Sequence, residues 1–390
     1  MSHRLYCAIS GHGFGHLAQT AALVNRLAEE WPDLTVHIVS PLPRTVLARM
    51  VWPPFSLECR AQDVGLVQSD PMQIDQAATL HALRQLHDHW PQHMETEQAS
   101  LAAWQPDLLL ADIPYLPIAA AAALGIPSVA IASLSWDAVL AAYFFRGTIP
   151  AATPHGWVEP AAAHWWQTMR QAYGQTTLAL LPTPAILDHH PFPRAEPINP
   201  LTSPGHRRRL ALRQALGLAP GDERPLVLVS LGGIPGHRLP IHALRQEERC
   251  HWLLETAPPD RPDHLHDTLT LLDGWSFADL SASVDGVVSK PGYGMAIAAT
   301  VQQIPFLYRR RGLFPDEPPI CQWIQETGRA QELTPEQFDT GQWFAPLRAL
   351  LAQPVKTPPP ANGAAQGAAL IRRLLGGEGT GPVSVCPSRA

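Results

Sequence analysis

Short, uninterrupted apolar runs alternate with stretches of helical period along most of the chain. The run Leu5–Ile9 precedes a helical pattern over 16–30, and a second run follows at Thr35–Val39. A long helical stretch covers about 72–103, then Asp107–Ala111 and Ser128–Ala132 read as strands around a helix near 116–124. Each strand run is apolar at consecutive rather than alternate positions. That pattern predicts parallel strands buried on both faces, with helices as the covering layers. A second set follows: Leu226–Ser230, His251–Glu255, Thr268–Leu271, Gly286–Val288 and Pro305–Tyr308, interleaved with helices. Between the sets lies the proline-rich, aperiodic stretch TPAILDHHPFPRAEPINPLTSPGH (183–206), which reads as a linker. The expected architecture is α/β: two doubly wound domains, 1–182 and 207–378, facing across a cleft. Ala364–Leu375 reads as a last helix, with a disordered tail at 379–390.

Composition narrows this picture. With 390 residues, 46% hydrophobic and 16% charged, the chain has ample material for two cores. A net charge of −6 argues against a nucleic-acid backbone as the main partner. The triplets Arg207–Arg209 and Arg309–Arg311 are local exceptions, read as solvated faces or as neighbours of a phosphate. Five scattered cysteines (Cys7, Cys59, Cys250, Cys321, Cys386) form no CxxC pair, which fits a reducing, cytoplasmic setting and argues against structural zinc. The uncharged stretch Leu116–Leu134 is broken by Gly125-Ile126-Pro127 and flanked by Asp112 and Asp137. A buried helix followed by a buried strand accounts for it better than a membrane span. No secretory layout opens the chain, so a soluble protein without an integral membrane segment is expected.

The candidate chemistry sits where strands end. In SGHGFGHLAQ, Gly11, Gly13 and Gly15 permit sharp turns or a close ligand approach. The spacing is G-x-G-x-G rather than G-x-G-x-x-G, and no acidic residue closes the second strand, so a dinucleotide site is disfavoured. His12 and His16 remain. At the first helical turn, His16 would project into the cleft and suit removal of a hydroxyl proton, or else cap the turn. Asp112 ends the run after Leu108–Ala111, where it would orient a histidine or cap the next helix. In LVSLGGIPGH (228–237), Gly232 and Gly233 form a tight turn whose amides can receive an anion. The loop Ser289-Lys290-Pro291-Gly292-Tyr293-Gly294 opens a helix whose free amides, with Lys290, would hold a diphosphate. Asp316 and Glu317, in FPDEPP, would bond sugar hydroxyls or cap the following helix.

GHGFGH (11–16), SVAIASLSWD (128–137), SKPGYGMAIAA (289–299) and FPDEPP (314–319) together carry a resemblance. The chain resembles nucleotide-sugar glycosyltransferases of the GT-B fold, with two Rossmann-like domains. It is most similar to the glycosyltransferase-like N-terminal region of plant L-arabinokinases and related stand-alone bacterial proteins, over most of residues 4–352. The resemblance implies an inverting, metal-independent transfer from a nucleoside-diphosphate sugar, UDP- or dTDP-linked, to an acceptor hydroxyl. It implies His16 as base and Asp112 as its partner, on an acceptor-side loop that includes His12, Gly13 and Gly15. Donor binding would fall to Gly232, Gly233, Ser289, Lys290, Gly292, Tyr293, Gly294, Asp316 and Glu317. Trp275 stands where the family contacts the base, or else packs in the core. No resident cofactor is implied, and the absence of a DxD triplet agrees with metal independence. Two features depart from the pattern. Lys290 replaces a histidine or small residue, and Met295–Ala299 lacks the helix glutamate that holds the ribose in several relatives. A nucleotide-sugar epimerase and a catalytically silent nucleotide-sugar binder stay open as alternatives. Sugar kinase activity is not expected.

Overall fold

The computed structural model describes residues 3–147, 155–186, 189–232, 236–268 and 274–376. Seven strands form one parallel sheet: β1 (Arg4–Ile9), β2 (Thr35–Val39), β3 (Phe55–Glu58), β4 (Leu108–Asp112), β5 (Ser128–Ile131), β6 (Leu178–Pro182) and β7 (Ala195–Ile198), in the order β3-β2-β1-β4-β5-β6-β7. Six form the other: β8 (Leu226–Val229), β9 (His251–Leu254), β10 (Leu265–Asp267), β11 (Gly286–Ser289), β12 (Phe306–Tyr308) and β13 (Ala330–Glu332), in the order β10-β9-β8-β11-β12-β13. In each sheet the strand order reverses beside the first strand, the place where doubly wound sheets open a crevice at their carboxyl ends.

The continuous apolar runs have a direct cause. Leu5, Cys7 and Ile9 of β1 enter one core cluster with Leu17, Leu23 and Leu27 of the Phe14–Glu30 helix. Tyr6 and Ala8 enter the cluster on the opposite face. The second sheet repeats this, with Leu226 and Leu228 on one side and Val227 and Val229 on the other. Both faces of the central strands are covered, and exposed strand positions fall at strand starts such as Arg4 and Thr35 and on edge strands.

Three expectations change. The stretch read as helical over 72–103 is two helices, Gln76–Asp88 and Trp90–Trp104, broken at His89 ahead of Pro91. The expected linker contains β7, which pairs with β6 as the edge of the first sheet. The last helix, Gly363–Leu375, does not belong to the second domain. Its Ala368 and Ile371 pack in the first domain's core, Gln366 accepts a hydrogen bond from the Asn199 amide at 2.7 Å, and Arg372 pairs with Glu30 at 3.1 Å. Gly367 brings this helix so close that a Cβ would stand 3.1 Å from both Leu23 and Leu180 methyls. The domains are therefore crossed twice. The strand expected at Thr268–Leu271 is β10, three residues earlier, with 269–271 outside the described residues, as is the tail at 379–390. No helix among the described residues is long and apolar enough to cross a membrane. Leu116–Leu134 divides into the Tyr115–Ala123 helix, β5 and the start of the next turn.

Candidate active site

β1 and β4 lie side by side with Ile9 opposite Asp112, and the Ser10 amide donates to the Asp112 carbonyl at 2.9 Å. The chain then turns through Gly13, whose φ of +82° is costly for any residue with a Cβ, and enters the helix at Phe14. His16 follows in the first turn, directly over the end of β4. Its Nδ1 stands 2.7 Å from Asp112 Oδ1, and Thr20 Oγ1, one turn further on, donates to Oδ2 at 3.1 Å. Asp112 is thus an orienting carboxylate and not a cap, because Pro114 occupies the cap of the next helix. His16 Nε2 has no protein partner among the described residues.

Burial opposes charge on His16, but the Asp112 carboxylate and its hydrogen bond outweigh it, and the imidazole pKa is raised. Burial also raises the pKa of Asp112, against the pull of His16 and Thr20. The two shifts favour opposite charge states for the pair. The 2.7 Å contact favours the proton on the imidazole Nδ1 against a carboxylate, in line with the raised His16 pKa. His12 is the reverse case. Burial, then His16, Lys290 and Arg311, push its pKa well below the usual histidine range, so it stays neutral.

Opposite this turn, β11 ends at Ser289 and the Tyr293–Val301 helix begins after Gly292. The two helix starts touch: a Cβ on Gly294 would lie 3.5 Å from Gly15 Cα. Lys290 stretches toward Gly232, where a Cβ would lie 3.3 Å from its Cε. Its Nζ forms no hydrogen bond or ion pair among the described residues. Burial, then Arg311, lower its pKa to about 7.

No protein-family model matches the chain. The chain is 26% identical to L-arabinokinase of Arabidopsis thaliana over 341 residues, 86% of this chain and 31% of that protein, so it spans under a third of that relative's length. Among solved structures, the glycotransferase of kitacinnamycin aligns with TM-score 0.62 at 15% identity, covering 96% of this chain and 100% of that one. CalG4, the calicheamicin glycosyltransferase, aligns at 0.60 with 17% identity, covering 97% and 100%. A putative UDP-N-acetylglucosamine 2-epimerase from Listeria monocytogenes aligns at 0.52 with 12% identity, covering 97% and 98%. The fold is GT-B.

The GT-B cleft gathers His12, His16, Asp112, Gly13, Gly15, Gly232, Lys290, Gly292, Gly294 and Asp316, but several side chains expected to line it are committed elsewhere. Glu317 is fully buried, and its carboxylate accepts from the Arg311 amide and, at 2.5 Å, from Arg311 Nε. It fixes Arg311 and is not free for a sugar. Ser289 Oγ donates to the Ser230 carbonyl at 2.5 Å. Tyr293 Oη donates to the Thr183 carbonyl at 2.9 Å and accepts from the Leu201 amide at 3.2 Å, pinning the second-domain helix to the crossover. Trp275 lies under the Arg208 guanidinium at 4.1 Å, and no contact among the described residues ties it to Lys290. Gly233 lies outside the described residues. Asp316 holds the cap position before Glu317 without making a capping bond, and its buried Oδ1 has no hydrogen-bond partner. Arg311 Nη2 is 3.9 Å away.

Two further residues of the cleft were not singled out by the sequence. Asp63, in the loop after β3, accepts from Ser10 Oγ at 3.2 Å and from Trp136 Nε1 at 2.7 Å. The Trp136 ring sits edge-on to His12 at 5.4 Å and tilted on His16 at 5.9 Å. Burial raises the Asp63 pKa, against the hydrogen bonds of Trp136 and Ser10. Trp136 stands within SVAIASLSWD, which is the only signal the sequence offers.

Proposed function

We propose that the protein is an inverting, metal-independent glycosyltransferase that moves a sugar from a nucleoside diphosphate to an acceptor hydroxyl. The observation that carries this reading is the 2.7 Å His16–Asp112 pair facing an unpartnered lysine across the cleft. The acceptor hydroxyl gives its proton to His16 Nε2 while its oxygen bonds to the anomeric carbon from the first-domain side. The bond from that carbon to the diphosphate breaks on the opposite face, so the configuration inverts. The leaving electron pair stays on the diphosphate oxygen, where Lys290 and the amides of Gly292–Gly294 receive the charge. Asp112 holds the Nδ1 proton and stabilises the imidazolium that forms. Asp316, whose buried Oδ1 has no hydrogen-bond partner among the described residues and only a 3.9 Å ion-pair contact with Arg311, would accept from a donor-sugar hydroxyl.

The glycosyltransferase names of the kitacinnamycin and calicheamicin neighbours agree with this chemistry. The L-arabinokinase relative supports a shared ancestry for this region, and its kinase activity is not proposed here. An epimerase reading draws on the Listeria neighbour and on Asp63 as a second cleft carboxylate. Against it, both Asp63 oxygens already accept protein hydrogen bonds. Calorimetry with UDP, dTDP and GDP in the absence of magnesium tests the donor half, with binding by at least one expected. Incubation of the matching nucleotide sugar without acceptor should return it intact or slowly hydrolysed. Recovery of an isomerised sugar would replace transfer by epimerisation, and tight binding without turnover over a broad acceptor panel would support a silent binder.

A further inference from the structure

The loop between β3 and the Gln76–Asp88 helix is fixed at three places that span the whole cleft. At its root, Arg60 pairs with the fully buried Glu97 at 2.5 Å, and Gln62 Nε2 donates to the same carboxylate at 2.8 Å. In its middle, Asp63 joins Ser10 to Trp136, beside both histidines. Gly65, at φ +59°, lets the chain pass so closely that a Cβ would meet the Trp136 ring at 3.0 Å and His12 Cβ at 3.2 Å. At its tip the loop crosses to the second domain. His237 Nδ1 stands 3.2 Å from Asp70 Oδ2, and Gly236 abuts the Ser69 carbonyl so tightly that a Cβ there would collide with it. Gly236 and His237 follow Gly232 on the same loop after β8, the loop that faces Lys290.

This seam differs from a finished core. His237 Nε2 and both polar atoms of the Gln68 amide are buried without a hydrogen-bond partner among the described residues. A ligand that holds the second-domain loop would favour this seated arrangement.

The geometry points to Asp63 and Asp70 as positioning residues: the 63–70 segment couples seating of the second-domain loop, through Asp70–His237, to the Trp136 wall that holds His16. Its consequence for turnover rests on the glycosyltransferase reading, but the mechanical coupling does not. Anchored at Ser69 and Asp70, the segment keeps Asp63 on the Trp136 Nε1–H, and the indole in turn confines both imidazoles. Released at its tip, it frees the wall beside the base while leaving the Lys290 side unchanged.

Hydrogen exchange on the full-length protein tests the coupling without any ligand, using His237→Ala to remove the pair and Gly236→Ala to wedge the seam. Peptides covering 62–75 and the turn at 10–16 should exchange at least about threefold faster in His237→Ala, while β8 peptides keep their parental rate. Gly236→Ala, if it folds, should give the same pattern. Parental exchange at both segments in His237→Ala overturns the coupling. In the parent, UDP, dTDP or GDP should slow exchange at 62–75, and His237→Ala should abolish that protection while its calorimetric Kd stays within about threefold. With the nucleotide that binds, kcat should fall roughly tenfold at that unchanged Kd. Nucleotide binding that leaves 62–75 unaffected also overturns the coupling. Faster exchange in His237→Ala with no nucleotide bound to the parent would sustain the coupling and sink the donor reading instead.

Discussion

The two glycine-rich turns of the cleft are built alike and equipped differently. Each leaves the end of a central strand, passes through glycines and opens a helix: β1 to Phe14–Glu30, and β11 to Tyr293–Val301. On the first, the polar side chain at the mouth is anchored on its inner side, since His16 Nδ1 meets Asp112 and Asp112 meets Thr20, while Nε2 is left open among the described residues. On the second, Lys290 reaches the mouth with no hydrogen bond or ion pair among the described residues. A base needs a fixed ring and a counter-charge already in place, so its partners are built into the protein. A diphosphate site needs a cation and amides left unsatisfied until the anion arrives. In the proposed transfer the same backbone device would serve both ends of one displacement, with the state of hydrogen bonding telling the roles apart.

Breaking the first turn should have the larger effect. His16→Ala removes the base and should lower kcat by about 10²–10⁴-fold. Nucleotide affinity should hardly move, because the proposed donor site is on the other turn. Steady-state kinetics beside calorimetry checks this, and turnover within a few-fold of the parent would reduce His16 to a structural role. Asp112→Asn keeps the ring but loses its counter-charge, and a fall of roughly 10²-fold is expected. The sign of its pH effect follows from the raised His16 pKa. The carboxylate favours the imidazolium, so without it His16 stays deprotonated to lower pH. The acid limb of kcat/KM should move toward lower pH in the variant.

Lys290→Ala attacks the second turn, and here affinity should change first. Losing a charge-assisted contact of about 1.5–3 kcal/mol weakens nucleotide binding by about 10–100-fold. The parent carries its own version of this experiment. With its pKa lowered to about 7 by burial and Arg311, the free ammonium loses its proton as pH rises through neutrality. Nucleoside-diphosphate affinity should therefore decline from pH 6 to pH 8 in the parent and lose most of that slope in Lys290→Ala. Calorimetry in buffers of different ionisation enthalpy should also show proton uptake on binding near pH 7.

Most of the scaffold and the position of His16 were legible in the sequence because they rest on local signals. Continuous apolar runs marked β1, β2, β4 and β5 to within a residue, and GHGFGH placed His16 at a helix start. What escaped was set by tertiary partners. β7 is a four-residue edge strand, AEPI, and only its place beside β6 makes it one. The last helix reads as amphipathic without saying which domain it covers. Glu317 looked like a ligand for a sugar hydroxyl because sequence shows a carboxylate and not the Arg311 that uses it. Asp63 had no signal, since its meaning lies in an indole 73 residues away.

The smallest expected effect separates cation from backbone on the second turn. Gly232 has a φ of +82°, and a methyl there would stand 3.3 Å from Lys290 Cε and 3.7 Å from Nζ. Gly232→Ala therefore does two modest things. It strains the turn by about 1 kcal/mol, a cost borne by the second domain alone. It also shifts the Lys290 ammonium by a few tenths of an ångström without removing its charge. Nucleotide affinity should fall only a few-fold, well short of the Lys290→Ala loss. Combining the two changes should be less than additive, because the alanine acts on affinity through the lysine it displaces. A calorimetric double-mutant cycle measures this. Full additivity would mean that the turn's own amides hold the phosphate and that Lys290 acts separately.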